Sequence, residues 1–338
     1  MTSSINLRVG CDLFLDLKLY RIPIVFQNQL KTEFPNVEVI EVNTTSANQI
    51  NLETIDIYWG NRITEELIKK LTGIQWIHFG SVGVNQAIAQ DVKQRHIAVT
   101  NSKGVMTDAV VSTVLAFIFS LARGFHHAWN LRLHNNLDRK SFDVFFDSIQ
   151  DVIGQSCLIV GLGEIGQKLS EICASIGINV YAVKNNISSY PQWIKKVYPL
   201  SKLNDAVSDV DYVINLLPLV DSTKGIFNSS IFAAMKRNAF FINVGRGDTV
   251  NEDDLIHAIR IKQIAGAGLD VFSKDSYISP GIPLCRESPL LKEENIILTP
   301  HVAGLTTKYW KAECDLFFEN LRLFLKGKPL INYVDISN

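Results

Sequence analysis

The sequence predicts an α/β chain in two domains, each a parallel sheet flanked by helices. Three observations predict it. Short apolar runs of strand length alternate with stretches of helical spacing along the chain, a rhythm that favours parallel strands covered by helices. The length of 338 residues suits two domains of roughly 150 residues each. Apolar residues make up 47%, enough for sizeable cores and too many for a disordered chain.

The elements justify this in order. Ile5–Asp12 reads as a strand, and Val37–Val42, alternating apolar and acidic residues, as a second. Ile55–Trp59 and Ile74–Phe79 are apolar runs of strand length. Between them Thr64–Leu71 has helical spacing, with Thr64 as cap and Leu67, Ile68 and Leu71 on one face. Ala109–Ala122 is an uncharged run bounded by Asp108 and Arg123. It is shorter than the roughly 20 residues that span a bilayer, so it reads as a core helix following Thr107, its Phe117 and Phe119 in the core or a subunit interface. His126 to Asp151 is polar and weakly periodic, and reads as an irregular crossing between structural units. Its histidines (His126, His127, His134) lack the spacing of a metal site.

Beyond it the pattern sharpens. Ser156–Val160, Asn179–Val183, Tyr212–Leu216, Phe240–Val244, Ala267–Val271 and Ile296–Thr299 read as strands. Gly163–Ile176, Leu203–Val207, Ser229–Met235 and Glu252–Arg260 read as helices, and Phe318, Leu321 and Leu325 mark a terminal amphipathic one. Pro218, Pro280, Pro283, Pro289 and Pro300 fall between elements, as their missing N–H groups require.

Charge and cysteine content exclude several classes. Lys plus Arg is 33 and Asp plus Glu is 34, a net charge of −1. Such a chain has no overall field for nucleic acid or anionic lipid. Five cysteines without a CxxC pair make neither a disulfide scaffold nor a zinc site. Met1–Ser4 opens no basic and apolar leader, so a cytoplasmic setting, with no metal, membrane or nucleic-acid partner, is expected.

The most informative local motif is Gly161-Leu162-Gly163-Glu164-Ile165-Gly166. It directly follows a strand and opens a helix, the context in which a GxGxxG has meaning. Gly161 permits the tight turn, Gly163 lets the backbone approach a pyrophosphate, and Gly166 lets the helix pack on the strand. The helix start then offers unpaired N–H groups to negative charge. These features point to a Rossmann-like fold that binds a dinucleotide. The next strand ends at Val183, where an acidic residue would accept from the adenosine ribose. Lys184, followed by Asn185 and Asn186, stands there instead. A lysine pairs with a 2′-phosphate, so the reading is NADP or NAD, with NADP favoured. Arg246, between two glycines, and His301, after Pro300, both follow strands. Parallel-sheet sites form beyond the C-terminal ends of strands, yet each residue taken alone also suits a structural role.

With these motifs in hand the sequence resembles the D-isomer-specific 2-hydroxyacid dehydrogenase family, from about Leu7 to Leu330. The matching segments, in the family's order, are 80–85 (GSVGVN), 100–105 (TNSKGV), 161–166, 217–219 (LPL), 242–247 (INVGRG), 268–271 (GLDV) and 299–304 (TPHVAG). The resemblance implies two Rossmann-like domains with the active site in the cleft between them. Residues 1–104 and 302–338 would form a discontinuous substrate domain, and 105–301 the nicotinamide dinucleotide-binding domain. It implies an NAD(P)-dependent oxidoreductase interconverting a 2-keto acid and a D-2-hydroxy acid, with glyoxylate or hydroxypyruvate as candidate substrates, and a homodimer.

Residue by residue, the resemblance implies Arg246, Asp275 and His301 as catalytic, and Ser81, Val82, Gly83 and Arg246 as substrate-binding. Cofactor-binding positions would be Gly161, Gly163, Glu164, Ile165, Gly166, Lys184, Leu217, Pro218, Thr223, Val244, Gly245, Asp270 and Gly304. Asp270 would orient the loop carrying Asp275, or cap it. The sequence departs from the family at Asp275, where glutamate is usual, at Ser273 and Ser276 in a stretch normally acidic and proline-containing, and at Ser112, where glutamate is common. The shortened acid keeps a second class open, a dinucleotide-sensing protein with little turnover. The retained Arg246 and His301 speak against it, and nothing speaks for a formate dehydrogenase.

Overall fold

The computed structural model describes residues 7–14, 17–42, 51–185, 189–273 and 288–336. The chain divides into two compact units, one of residues 1–106 and 305–338, the other of 107–304. Asp275, Ser276, Pro280, Pro283 and Asn186 lie outside the described residues.

In the first unit, strands β1 (Leu7–Cys11), β2 (Val37–Glu41), β3 (Ile57–Gly60), β4 (Trp76–Phe79) and β5 (Ala98–Asn101) form a parallel sheet in the order 2-1-3-4-5. Helices α1 (Ile24–Glu33), α2 (Glu65–Lys70) and α3 (Ala89–Arg95) connect them. The cap expected at Thr64 is present, its side chain accepting from Leu67 N. Alternate strand residues divide between two cores. Val9, Cys11, Ile57, Trp59 and Trp76 pack with Phe317, Phe318 and Leu321 of the C-terminal helix. Tyr58, Ile77, Phe79 and Val99 pack with Ile68, Ile88 and Val92 on the other face. Burial on both faces is why the strands read as unbroken apolar runs.

The second unit starts with α4 (Thr107–Ala122), then α5 (Phe125–Leu133) and α6 (Arg139–Asp143). Seven parallel strands follow, β6 (Ser156–Val160), β7 (Asn179–Val183), β8 (Ile194–Tyr198), β9 (Tyr212–Asn215), β10 (Phe240–Asn243), β11 (Gly266–Leu269) and β12 (Ile296–Leu298), with α7 (Glu164–Ser175), α8 (Leu203–Ala206), α9 (Ser229–Ala234) and α10 (Glu252–Arg260). The sheet order is 12-11-10-9-6-7-8. The chain therefore leaves β6 toward β7 and β8, then reverses to β9 on the other side, which makes the β6/β9 junction the topological switch point. One core joins Leu158, Val160, Val213 and Phe241 to α8, α9 and α10. The other joins Cys157, Ile159, Ile214 and Ile242 to α4 and α7. At β11, a Cβ on Gly268 would stand 2.7 Å from the ring of Phe117, so α4 packs on the sheet only because a glycine lies there. The C-terminal helix α11 (Tyr309–Leu325) belongs to the first unit.

Residues 126–151 are a correction to the sequence reading. They hold α5 and α6 and a short 3-10 turn at Phe146–Ser148, and they lie within the second unit. The periodicity misled because α5 is inverted. His126 and His127 are buried, while Phe125, Trp129 and Leu133 are exposed. Pro289 lies at the first position of a 3-10 turn, Pro289–Lys292, rather than between elements. Its fixed φ suits that place. Among the described residues no single helix is long and apolar enough to cross a membrane; α4 and α5 meet those requirements only as a pair bent by 72°.

Candidate active site

In the second unit the residues singled out by sequence collect along one edge, the C-terminal ends of its strands. Gly161 directly follows β6 with φ 109°, and a Cβ there would lie 3.1 Å from the backbone of Leu216, just past β9. A Cβ on Gly166 would run into the carbonyl oxygen of Gly161, so only glycine lets α7 start this close to the strand. Gly163 caps α7 and faces open space. The first helical bond runs from Gln167 N to Gly163 O at 2.9 Å. The N–H groups of Glu164, Ile165 and Gly166 precede it and have no carbonyl of the helix to bond. Open space in front of a glycine turn and a helix start fits a pyrophosphate. The Glu164 carboxylate accepts from Thr107 Oγ1 at 2.8 Å, so what this turn offers an anion is backbone. Lys184 follows β7, half-buried, with its N–H bonded to Tyr198 O at 2.9 Å.

The next loops are tied together by buried amides. Asn215, the last residue of β9, donates to Asn243 Oδ1 at 2.9 Å and to Thr249 Oγ1 at 2.7 Å. Its own oxygen accepts from Leu217 N at 3.0 Å, and Asn243 Oδ1 also accepts from Gly245 N at 3.1 Å. Thr249 donates to Arg246 O at 2.6 Å. This network sets the backbone of 215–218 and 243–249. Thr223 is buried, and its hydroxyl bonds Pro218 O at 2.7 Å, which closes the turn following Leu217 and Pro218. Arg246 itself is exposed, and its Nη1 donates to Gly245 O at 2.7 Å.

His301 follows β12, two strands from β10, with β11 between them. Asp270, at the end of β11, is buried and clamps the histidine's loop. Its carboxylate accepts from Thr299 Oγ1 at 2.5 Å, from Val302 N at 2.9 Å and from Ala303 N at 3.0 Å. Its carbonyl accepts from His301 N at 2.9 Å. Burial pushes the Asp270 carboxyl up from the ordinary aspartate value, against the hydrogen bonds from this loop and the attraction of His301. The loop Asp270 visibly holds is the one carrying His301; Asp275 lies outside the described residues.

In the first unit Ser81–Gly83 follow β4. All three carbonyls are engaged, Ser81 O by Ser102 N at 3.0 Å, Val82 O by Asn101 Nδ2 at 2.7 Å, and Gly83 O by Ser81 Oγ at 2.9 Å. The N–H groups of Val82 and Gly83 have no partner among the described residues. A loop bound through its carbonyls and open at its N–H groups can hold an anion.

Sequence reasoning missed Asn215, Asn243 and Asn101. Their common signal is an asparagine closing a short buried strand, in YVIN, FFIN and AVTN.

Comparison with known proteins places the chain in a family. The sequence model of the D-isomer specific 2-hydroxyacid dehydrogenase, NAD binding domain, matches residues 115–303, more than half the chain. The chain belongs to the D-isomer specific 2-hydroxyacid dehydrogenase family. It is accordingly an oxidoreductase of the 2-hydroxyacid dehydrogenase type, a class that works with a nicotinamide dinucleotide. Among its relatives, glyoxylate/hydroxypyruvate reductase B of Klebsiella pneumoniae (strain 342) is 30% identical over 283 residues, 81% of this chain and 82% of that protein. The D-3-phosphoglycerate dehydrogenase of Methanocaldococcus jannaschii is 25% identical over 82% of this chain and 51% of its own. Two solved structures share the fold. The NADPH-dependent glyoxylate/hydroxypyruvate reductase of Sinorhizobium meliloti, in complex with NADP and malonate, superposes with a TM-score of 0.79 at 21% identity, over 98% of both chains. An acyclic imino acid reductase in complex with NADPH and D-Arg gives 0.80 at 21% identity, over 97% of this chain and 100% of its own.

Proposed function

We propose that this dehydrogenase reduces a small 2-keto acid to a D-2-hydroxy acid, reversibly, with NADP favoured over NAD and glyoxylate or hydroxypyruvate as substrate. One observation carries the reading. Arg246 and His301 stand at the same sheet edge as the glycine turn, and buried Asp270 clamps the histidine's loop. When bound, the dinucleotide supplies the hydride for C2 of the keto acid. Arg246, always charged and exposed, binds the carboxylate and the C2 oxygen and stabilises the negative charge that grows there. His301 gives that oxygen its proton in reduction and takes it back in oxidation, the two-way proton transfer for which an imidazole is suited. Val82 and Gly83 offer their N–H groups to the carboxylate. By family resemblance Asp275 accepts from the other ring nitrogen of His301. Leu217, Pro218, Val244, Gly245 and Gly304 would line the dinucleotide, and Lys184 would meet a 2′-phosphate. A homodimer is the expected assembly.

The test is a panel of 2-keto acids with NADPH and NADH, followed at 340 nm. Consumption of NADPH with glyoxylate or hydroxypyruvate supports the reading. Cofactor binding without turnover across the panel would overturn it in favour of a dinucleotide sensor.

A further inference from the structure

Behind the loop 80–83 the first unit buries a polar cluster that no step of the proposed reaction uses. Glu313 of α11, His78 of β4, Thr100 of β5 and Ser102 are all fully buried. Glu313 Oε1 accepts from Trp59 Nε1 at 2.9 Å, and its other oxygen accepts from Ser102 Oγ. His78 Nε2 stands 3.5 Å from Oε1. On the far side of the imidazole, Trp76 Nε1 donates to Thr100 Oγ1 at 2.8 Å. An indole N–H only donates, so the Thr100 oxygen accepts there, and the same oxygen is hydrogen-bonded to His78 Nδ1, 2.6 Å away.

A buried carboxylate is costly, and only a full set of partners offsets the cost. The cluster's position explains its presence. Ser102, which bonds Glu313 through its side chain, donates its backbone N–H to Ser81 O at 3.0 Å. Tyr309, one turn before Glu313 on the same helix, donates its hydroxyl to Gly80 O at 2.8 Å. Gly80 passes so close that a Cβ there would lie 3.2 Å from Glu313 Oε1. The start of the loop is thus fastened from two sides by groups that Glu313 and its helix hold.

We propose that Glu313 is a positioning residue for substrate carboxylate binding: from the C-terminal helix it sets the conformation of loop 80–83, so that the N–H groups of Val82 and Gly83 converge on one anion. The inference rests on the reading of that loop as a carboxylate site. Losing one hydrogen bond to a charged group weakens binding roughly tenfold or more, and a loss felt equally by substrate and transition state raises KM and leaves kcat. Glu313→Ala strands the Trp59 indole N–H and leaves the Ser102 hydroxyl only Phe79 O, at 2.8 Å, in place of the helix that held it. Glu313→Gln keeps an acceptor for Trp59 and offers amide hydrogens to Ser102 Oγ, whose own hydrogen then turns to Phe79 O at 2.8 Å.

The experiment measures keto-acid KM and kcat with NADPH, the NADPH Kd, and hydrogen exchange at the Ser102 amide. Glu313→Ala should raise KM roughly tenfold or more, with kcat nearly unchanged, NADPH Kd intact and faster exchange at Ser102. Glu313→Gln should restore most of the KM. Tyr309→Phe, which loses one hydroxyl, should raise KM in the same direction and decides the matter if Glu313→Ala does not fold. Wild-type KM in either Glu313→Ala or Tyr309→Phe overturns the proposal, as does a KM rise that Glu313→Gln fails to reverse. If the wild-type protein reduces no keto acid, the carboxylate reading fails, and exchange at Ser102 still decides the role of Glu313: unchanged exchange in Glu313→Ala and Tyr309→Phe overturns it.

Discussion

His301 has a left-handed backbone, with φ 53°. That conformation costs a residue with a Cβ roughly 1–2 kcal/mol, and it persists where the surroundings over-determine it. Here the surroundings are Asp270, which bonds the backbone of 301, 302 and 303. His301→Ala should lower kcat by roughly 10²-fold or more, the scale of general acid–base catalysis, with NADPH Kd unchanged. Asp270→Asn places an amide N–H against one of three donors, so it too should lower kcat, by roughly ten- to a hundredfold as expected for misplacement, again sparing cofactor affinity. A variant at 270 with wild-type kcat would show that the clamp does not matter to His301. At Lys184 the expected effect is on the cofactor alone. Lys184→Asp should weaken NADPH and spare or improve NADH, and identical titration curves for both proteins would remove Lys184 from the nucleotide site. Arg246 and His301 were legible in the sequence as candidates because each sits in a short loop just after an apolar strand. The clamp by Asp270 was not, because its partners lie 29 to 33 residues downstream and only the sheet brings them together.

At the scale of elements, α5 is the instructive case. It buries His126 and His127, whose rings lie 3.8 Å apart, with His127 stacked on Phe145 at 3.9 Å. Burial, and then the neighbouring His126, push His127 down to about 4. In the unfolded chain its pKa is near 6.5. Between those values the unfolded state binds a proton that the folded state refuses, so stability is complete above about 6.5 and falls as pH drops toward 4. His127→Phe keeps the stack and removes the proton. Its melting temperature should therefore fall less than that of the wild type between pH 7 and pH 4.5. Parallel curves would show that His127 is not a source of acid sensitivity. The same burial explains what the sequence pattern hid. Period-3.6 reasoning assumes apolar residues face inward, as they do in Glu252–Arg260, where prediction and helix coincide. The strands that went unread, β5 and β8, are at sheet edges. β8 carries Lys195 and Lys196 exposed, which breaks the apolar run and protects an open edge.

For the molecule as a whole, α5 turns an apolar stripe outward. Phe125, Trp129 and Leu133 recur at every fourth position and are 62%, 57% and 61% exposed. Single exposed apolar residues need no explanation, whereas a contiguous row of large ones marks an interaction surface. Aromatic side chains of this kind commonly anchor interfaces. The homodimer proposed above would set a second copy of the chain on this stripe. In a twofold dimer the same stripe serves both subunits, so one substitution strikes the interface twice. Light scattering after size exclusion should give the mass of two chains for the wild type. Trp129→Glu with Leu133→Glu should give the mass of one, because a carboxylate enters an apolar interface only at a cost of several kcal/mol. Both side chains are exposed within the single chain, so the variant should keep its own fold, and circular dichroism would check that. A wild-type protein that runs as a single chain at all concentrations would sink the dimer, and a doubly substituted protein still running as two chains would move the interface elsewhere.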